Sequence, residues 1–348
     1  MTRSNDTIEV LNYSAGTLTY LDQTCLPSEV RYRVARTPDE LVDALRRLAI
    51  RGAPLIGVAA AYGIASAARN ASRMDLHAFR VYMLEVCDRI GGARPTAVNL
   101  GWAVGICREL VLRCSDPSAC ASALEETARR IHEDDARRCA AIGEQGAELI
   151  PPSAGIITYC NTGALATGGE GTALGVILAA HRRGKRIHVF VCETRPHLQG
   201  SRLTMWELTR RGIPATLITD GTAAVVMREG RADLVITGAD RIAQNGDTAN
   251  KIGTYALAVA AHHHGIPFYI AAPVSSIDFQ ATSGGEIPIE IRPASDITEF
   301  GGVRIAPEGV DAFAPAFDTT PAALIHAVIT ERGIIRPPYD ETLRGLRS

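Results

Sequence analysis

The sequence lacks an excess of charge of either sign. Its 348 residues contain 36 Lys and Arg against 38 Asp and Glu, for a formal net charge of -2. No global positive field is therefore available to attract nucleic acid or an anionic lipid surface. We expect neither nucleic acid nor a membrane among the partners. An anionic ligand would have to be held by a local pocket.

The chain also lacks paired cysteines, a signal peptide and a long apolar run. Its eight cysteines are Cys25, Cys87, Cys107, Cys114, Cys120, Cys139, Cys160 and Cys192. Because they form no CxxC pair or His–Cys cluster, they are typical of reduced thiols in a cytosolic chain rather than of disulfides or a zinc site. The start, MTRSNDTIEVLNY, has no apolar core, and the stretch from Pro54 to Ala67 is too short to span a bilayer. The sequence predicts a soluble, cytoplasmic protein without a metal site.

What is present is ordinary globular composition, with 46% hydrophobic and 21% charged residues. The length suits two domains, and the pattern changes at the segment PPSAG, residues 151–155. Short Val-, Ile- and Tyr-rich runs in the first 35 residues predict a small antiparallel sheet. A helix should follow Thr37, which can cap it in a capping box with Glu40. Four or five Ala-rich helices should follow to about Gln145. We expect residues 1–150 to form this N-terminal domain.

Residues 151–348 alternate short β-branched runs with helical segments. Examples are GIITYC, IHVFVCE, LVITGAD and PFYIAAP. These runs show no polar alternation, as is typical of parallel strands buried on both faces by helices. The predicted fold class is therefore α/β: a small N-terminal β and helical domain followed by a Rossmann-like, doubly wound parallel-sheet domain. The tail segment ERGIIRPPY should pack back on the sheet.

Ligands of open parallel sheets bind at the carboxyl ends of the strands. The residues that follow the predicted strands are Cys160 and Asn161, Glu193 and Thr194, Asp220, Asp240, and Pro273. A thiol and three carboxylates thus converge on one edge of the sheet. Cys160 and Asp240 are the strongest catalytic candidates. Glu193 can instead pair with a neighbouring arginine.

Several motifs can hold an anion. The loop CNTGALATGGEGTALG leads into a helix, yet it matches neither GxGxxG nor GK[ST], which argues against a dinucleotide or ATP. Arg51 of RGAP and Arg94 of GGARPT precede helices, and Asn250 and Lys251 follow Asp240. A thiol, an acid, amide donors and three cations suit a phosphorylated polyol better than a nucleotide or an acyl chain.

The sequence contains the strings RGAPLIGVAAAYG, GGARPTAVNLGWAV, CNTGALAT, ETRPHLQGSRLT, TGADRIAQNGDTANKIGTYALA and AAPVSSID, and the resemblance that they carry extends over nearly the whole chain. They resemble the family that contains the 5-methylthioribose-1-phosphate isomerases. The same family includes ribose-1,5-bisphosphate isomerases and regulatory subunits of the translation initiation guanine-exchange factor. The resemblance implies an aldose–ketose isomerase of methionine salvage that acts on a phosphorylated pentose. It also implies a homodimer that needs no metal or nucleotide cofactor.

The resemblance further implies roles for individual residues. The catalytic thiol corresponds to Cys160 and the catalytic acid to Asp240. The implied substrate contacts are Arg51, Gly52, Ala53, Arg94, Gln199, Asn250 and Lys251. The run from His262 to His264 lies on a predicted helix and is expected to face solvent.

The substrate of such an isomerase explains the need for an acid. A 1-phosphate blocks the usual ring opening through the anomeric hydroxyl, so departure of the ring oxygen must be assisted by a group that stays protonated near neutrality. An apolar pocket would raise the pKa of Asp240 towards that range. Hydrogen then moves from C2 to C1 as a proton or as a hydride, and the sequence leaves both routes open. Cys160 could shuttle the proton or stabilise charge.

Four positions depart from the isomerase pattern. Tyr159 stands where His is expected, Cys192 where Asp is expected, Gly221–Thr222 where Asn-Met is common, and Glu170 where an aromatic is frequent. They leave the group at the substrate's 5-position open, because a methylthio group, a deoxy carbon or a second phosphate would each need a different pocket lining. The alternatives are a ribose-1,5-bisphosphate isomerase, a non-catalytic regulatory subunit and an NAD-dependent dehydrogenase. The missing GxGxxG speaks against the last.

Overall fold

The computed structural model describes residues 8–94 and 97–347. Pro95 and Thr96 of the GGARPT motif lie outside the described residues. The described chain forms two compact units. The first ends at Ala140 and also includes Thr162–Gly171; the second comprises Ala141–Asn161 and the chain from Thr172 onward. A domain boundary after residue 150 stays a prediction.

The first unit begins with the predicted antiparallel sheet. Its strands are β1 (Leu11–Ser14), β2 (Thr17–Leu21) and β3 (Tyr32–Ala35), in the order β1-β2-β3. Ala15 and Gly16 join β1 to β2 with φ values of 51° and 81°. Two consecutive positive φ values match the right-handed twist of a hairpin. A Cβ at Gly16 would lie 2.2 Å from Cδ of Arg69, so glycine is required there for space as well.

Helices complete the first unit. They are α1 (Pro38–Arg46), α2 (Ala53–Ala71), α3 (Leu76–Gly91), α4 (Val98–Arg113) and α5 (Pro117–Ala147). The predicted cap of α1 is confirmed, because Oγ1 of Thr37 accepts the Glu40 N–H at 3.2 Å. The Glu40 carboxylate, however, accepts the N–H of Arg36 rather than that of the cap residue. The boundary between the two units falls inside α5, after Ala140.

The second unit is built on the predicted parallel sheet. Its strands are β4 (Ser153–Thr158), β5 (Arg186–Cys192), β6 (Ala215–Ile218), β7 (Leu234–Thr237), β10 (Phe268–Ala271), β15 (Ala327–Thr330) and β16 (Gly333–Ile335). Their order is β16-β15-β10-β7-β4-β5-β6. All neighbours are parallel except β16, the predicted tail, which runs antiparallel to β15. Without β16, the connectivity is the 3-2-1-4-5-6 order of a Rossmann fold, which confirms the predicted fold class.

Both faces of this sheet are buried, which explains the absence of polar alternation. Ile156 of β4 packs in one apolar cluster, and the next residue, Ile157, packs in another. Val235 and Ile236 of β7 divide between the two clusters in the same way. Successive side chains of a strand point to opposite faces, so each face needs its own apolar layer. The helices of this unit are α6 (Ala173–Arg182), α7 (Met205–Arg210), α8 (Thr222–Arg228), α9 (Thr254–His263), α10 (Ser295–Thr298) and α11 (Tyr339–Thr342).

Two smaller sheets were not predicted. One contains β8 (Arg241–Ala243), β9 (Thr248–Lys251), β11 (Ile277–Asp278) and β14 (Phe317–Thr320), in the order β11-β8-β9-β14. The other is a hairpin of β12 (Glu299–Phe300) and β13 (Val303–Arg304). Strands of two to four residues are too short to show a period of two in the sequence. Among the described residues, no helix is long and apolar enough to cross a membrane.

Candidate active site

The switch point of the sheet lies beside β4. From β4 the chain order runs through β5 to β6 on one side and through β7 to β10 and β15 on the other. Open α/β sheets bind their ligands in the crevice at such a point, outside the carboxyl ends of the strands. Thr158 of β4 pairs with Ile236 of β7. Cys160 and Asp240 therefore follow adjacent strands on the two sides of the crevice.

Cys160 is held in an unusual backbone conformation. Its φ is 61°, in the left-handed region, where a residue with a side chain is strained by about 1–3 kcal/mol. Hydrogen bonds fix the main chain on both sides: the Cys160 N–H donates to Thr194 Oγ1 at 2.8 Å, and Thr204 Oγ1 donates to the Cys160 carbonyl at 2.6 Å. The thiol donates to Gln199 Oε1 at 3.1 Å. The structure thus brings two predicted site residues into direct contact.

Asp220 organises the turn after β5. Its two carboxylate oxygens accept the N–H groups of Thr194 and Arg195, each at 2.8 Å. Thr194 in turn accepts the Cys160 N–H, so a chain of hydrogen bonds runs from Asp220 to the thiol residue. Burial, and after it the charge of Asp220, raises the pKa of Tyr159. Asp220 supports the conformation of the site.

Tyr159, the first departure from the isomerase pattern, is fully accommodated. Its side chain is buried. A Cβ at Gly253 would lie 2.0 Å from its hydroxyl oxygen, and Gly253 has a φ of 104°. The chain therefore approaches Tyr159 closely at a position that only glycine suits. Cys192, the second departure, is completely buried, and burial raises the pKa of its thiol.

A buried ion pair lies behind Cys160. Glu207 Oε2 accepts from Arg211 Nη1 at 3.0 Å, and the two side chains are 0% and 7% exposed. Glu207 Oε1 accepts from Asn161 Nδ2 at 2.8 Å, which ties the residue after the thiol to α7. The sequence motifs point to neither Glu207 nor Thr204. The sequence shows only that each is a polar residue with apolar residues on both sides of it.

We expect Glu207→Gln to lower the free energy of unfolding by about 3 kcal/mol, because it leaves the Arg211 charge buried without its partner. The matched control is Glu109→Gln, since Glu109 forms an i,i+4 pair with Arg113 in which the side chains are 68% and 79% exposed. That control should change stability by no more than about 0.5 kcal/mol. Urea unfolding followed by circular dichroism measures both. Equal losses in the two variants would contradict the assignment.

Asp240 lies where the chain leaves the main sheet for the smaller one. It follows β7 by three residues and is half-buried. Its N–H donates to the Ala249 carbonyl at 2.9 Å, which places it beside the β9 segment that carries Asn250. The next residue, Arg241, pairs with Asp278 at 3.3 Å. Arg241 thus has a carboxylate partner on β11.

Asn250 and Lys251 end β9 and are both buried. Asn250 Nδ2 donates to Thr254 Oγ1 at 2.9 Å, at the start of α9. Lys251 Nζ donates to the Ala316 carbonyl at 2.8 Å and lies 4.3 Å from the centroid of the Phe317 ring. These contacts hold the ammonium group in place. The pair is well suited to present a cation and an amide to a polar ligand.

Asp318 of β14 is a further group that sequence analysis did not identify. Its carboxylate accepts the N–H of Gly253 at 2.7 Å and of Tyr255 at 3.1 Å, at the amino end of α9. Burial raises the pKa of Asp318 to about 6. A carboxyl group with a raised pKa close to candidate site residues is itself a functional candidate. No motif in the sequence points to it.

Positive charge accumulates around His197 in the second unit. Burial, followed by the charges of Lys251, Arg292 and Arg202, lowers the pKa of His197 to about 4, although Asp296 opposes this shift. His197 Nε2 lies 3.2 Å from Asp296 Oδ2, and Arg292 Nε donates to the same oxygen at 3.0 Å. The imidazole is therefore neutral near neutral pH.

The lowered pKa of His197 predicts a loss of stability in acid. Its folded pKa of about 4 lies below the ordinary 6.5, so the unfolded chain takes up the proton first as the pH falls. The contribution of neutral His197 to the free energy of unfolding is complete above about pH 6.5 and disappears towards pH 4. The free energy of unfolding falls by an amount on the order of 1–3 kcal/mol across that window. Relative to wild type, His197→Gln should therefore lose less stability across that window in urea titrations. The exposed His262→Gln is the control, and an equal effect in both variants would refute the prediction.

The first unit carries the remaining predicted residues. Arg51 is buried and directly precedes Gly52, which caps α2 with a φ of 95°. A Cβ at Gly52 would lie 2.5 Å from the Ala166 carbonyl, so the start of α2 touches the glycine-rich loop of the same unit. Ala53 begins α2, and Arg94 is half-buried after α3. Within its unit, the structure joins the RGAP motif to the loop Thr162–Gly171.

Among the described residues, no group of three or more His, Cys, Asp or Glu side chains is placed to hold a metal ion. A Rossmann-like sheet with a thiol and a carboxylate on the two sides of its switch point defines an α/β enzyme with a small-molecule site. A model of the Initiation factor 2 subunit family matches residues 49–337. The chain belongs to that family, which confirms the resemblance found in its motifs.

Relatives within the family are similar over nearly the whole chain. Methylthioribose-1-phosphate isomerase of Pelotomaculum thermopropionicum is 51% identical over 331 residues, which cover 94% of this chain and 91% of that protein. The crystal structure of 5-methylthioribose 1-phosphate isomerase from Pyrococcus horikoshii OT3 has a TM-score of 0.92 at 38% identity, covering 97% of this chain and 95% of that one. A crystal structure described as translation initiation factor eIF-2B, subunit delta, from A. fulgidus has a TM-score of 0.88 at 41% identity, covering 98% and 99%.

Proposed function

We propose that this protein is an aldose–ketose isomerase that converts 5-methylthioribose 1-phosphate into 5-methylthioribulose 1-phosphate. The observation that carries the proposal is the placement of Cys160 and Asp240 at the ends of adjacent strands beside the switch point. Relatives about half identical to this chain bear the name of that isomerase. The reaction rearranges one molecule, so it needs no external oxidant or reductant.

Asp240 is the general acid in this proposal. It donates a proton to the ring oxygen as the bond from that oxygen to C1 breaks. Hydrogen then moves from C2 to C1, and loss of the C2 hydroxyl proton leaves the ketone and restores the acid. Cys160 either accepts and returns the C2 proton or stabilises charge during a hydride shift. Protons and electrons balance in both routes. The routes differ in whether the migrating hydrogen exchanges with water.

The substrate contacts remain predictions. Gln199 is held against the Cys160 thiol, and Asn250 and Lys251 lie next to the Asp240 main chain, which supports their proposed roles. Arg51, Gly52, Ala53 and Arg94 are proposed from their motifs. The homodimer is inferred from the family resemblance, and the cytoplasmic location from the eight cysteines, none of which forms a disulfide. Light scattering on the purified protein tests the dimer.

A direct assay tests the function. The purified protein is incubated separately with methylthioribose 1-phosphate, 5-deoxyribose 1-phosphate and ribose 1,5-bisphosphate, with a chelator and no added cofactor, and ketose formation is followed by NMR. Conversion of the first substrate, with or without the second, supports the proposal. Exclusive turnover of the bisphosphate would support the same mechanism with ribose 1,5-bisphosphate as the substrate.

A regulatory subunit is the second candidate, favoured by the similarity to the structure described as an eIF-2B delta subunit. A pure interaction module has no physical need for a buried lysine, an oriented thiol and a carboxylate at one edge of a sheet. Absence of turnover with all three sugar phosphates would favour this candidate.

A further inference from the structure

A cavity of about 630 Å³ lies in the second unit, at the amino ends of β4 and β5. Ser153 and Arg186, which begin these two strands and pair with each other, are both part of its lining. Its volume lies within the range of about 300–1,000 Å³ that is typical of small-molecule sites. None of the candidate catalytic or substrate-binding residues is among the described residues that line this cavity.

The cavity lies far from the candidate active site. Cys160 follows the carboxyl end of β4, whereas Ser153 begins that strand. At about 3.3 Å per residue, the two positions are roughly 20 Å apart along the strand. A small molecule bound in the cavity would therefore not contact the catalytic groups. The cavity is a separate site at the opposite edge of the same sheet.

The polar lining of the cavity is basic. Its ionisable side chains are Lys185, Arg186, Arg231, His181 and His188. No carboxylate is among the lining residues that belong to the described chain. Two carboxylates lie beside the lining: Asp233 Oδ2 accepts the Gly155 N–H at 2.7 Å, and Glu229 lies 3.8 Å from Arg231 in a solvent-exposed pair. Positive charge is thus concentrated in a concave surface.

The basic side chains that line the cavity differ in the contacts that they already make. Lys185 Nζ donates to the Ala147 carbonyl at 2.6 Å and also to that of Ile150, so it supports the end of α5. Arg231 lies over Phe190, with its guanidinium carbon 5.1 Å from the ring centroid. The side chains of Arg186 and His181 are exposed at the start of β5 and the end of α6. Arg186 and Arg231 are therefore the groups best placed to grip a ligand.

We propose that this cavity is a binding site for a polyphosphate anion. A guanidinium group presents paired N–H donors that match two oxygens of one phosphate, and two such groups with a nearby ammonium suit a chain of phosphates better than a single one. The His188 ring, 4.9 Å from that of Phe190, adds an aromatic wall. The phosphates belong either to a free polyphosphate or to a nucleotide.

Isothermal titration calorimetry with inorganic tripolyphosphate tests the proposal on the full-length protein. We expect saturable binding with one site per chain that weakens as salt is added. Replacing both arginines, Arg186→Gln with Arg231→Gln, should weaken binding at least about tenfold. The matched control is Arg228→Gln, because Arg228 is an exposed arginine of the same unit outside the cavity. It should change affinity less than about twofold.

Two further arms keep the test decisive. Arg231→Gln uncovers Phe190, so Arg186→Gln with His181→Gln, both exposed positions, repeats the experiment without that risk.

ATP and adenosine are titrated in parallel: binding of ATP that is lost in the double variants supports a nucleotide as the source of the phosphates. Tripolyphosphate binding that survives both double variants belongs to another site and overturns the proposal. So does a lack of saturable binding to wild type at millimolar tripolyphosphate, or adenosine binding as tightly as ATP.

Discussion

Asp240→Asn is expected to lower kcat for methylthioribose 1-phosphate by at least about 1,000-fold, while substrate affinity stays within about tenfold. The substitution removes the proton that the ring oxygen needs and leaves shape and polarity nearly unchanged. Asp240 is half-buried and follows β7, the strand beside β4, which is compatible with the general acid that we propose. Turnover is measured by NMR and affinity by calorimetry.

Asp278→Asn is the matched control for this experiment. Asp278 is a carboxylate of the adjoining small sheet and pairs with Arg241, the residue after Asp240. Its replacement should leave kcat within about fivefold, because the side chain holds structure and supplies no proton to the substrate. Near-normal turnover of Asp240→Asn would remove Asp240 from the mechanism. An equal fall in both variants would mean that the local charge arrangement, not proton donation, is what matters.

Cys160→Ser is expected to lower kcat by at least about 100-fold. Serine keeps the size of the side chain and can still donate to Gln199, but its hydroxyl ionises far less readily than a thiol. The hydrogen bonds from Thr204 and to Thr194 involve only the main chain of residue 160, so the left-handed turn should survive. Circular dichroism and thermal unfolding verify the fold, and NMR gives the rate.

Cys192→Ser provides the comparison for Cys160. Cys192 ends the neighbouring strand β5 and is completely buried, so its loss should lower stability and leave kcat within a few-fold. If Cys160→Ser retains wild-type turnover, the thiol only fills space.

Substrate deuterated at C2 separates the two routes: full retention of deuterium at C1 indicates a hydride shift, and exchange with water indicates proton transfer through Cys160.

The turn after β4 is a strained segment at the proposed active site. A left-handed cysteine is unfavourable by itself, and its neighbours Thr194 and Thr204 must hold it by hydrogen bonds. Thr194 is positioned by Asp220. Asp220, a weaker catalytic candidate from the sequence, thus acts through the backbone of the site. Strained residues that are held from several sides are common at active sites because the strain orients the side chain.

The sequence alone determined the α/β class and the edge of the sheet at which the site lies. Buried parallel strands carry uninterrupted apolar runs, and the residue after each run must come to the carboxyl edge. The Thr37 cap was also predictable, because capping depends on residues only three positions apart. Such features depend on interactions between residues that are close together in the sequence.

Only the tertiary structure decided how distant segments combine. The short strands β8, β9, β11 and β14 exist because they pair with one another, and too few residues stand in each to reveal a pattern. The hydrogen bond from Asn161 to Glu207, the contact of Asp318 with the start of α9, and the inclusion of Thr162–Gly171 in the first unit also depend on residues far apart in the chain. Burial and long-range pairing, which set these contacts, become defined only when the whole chain is folded.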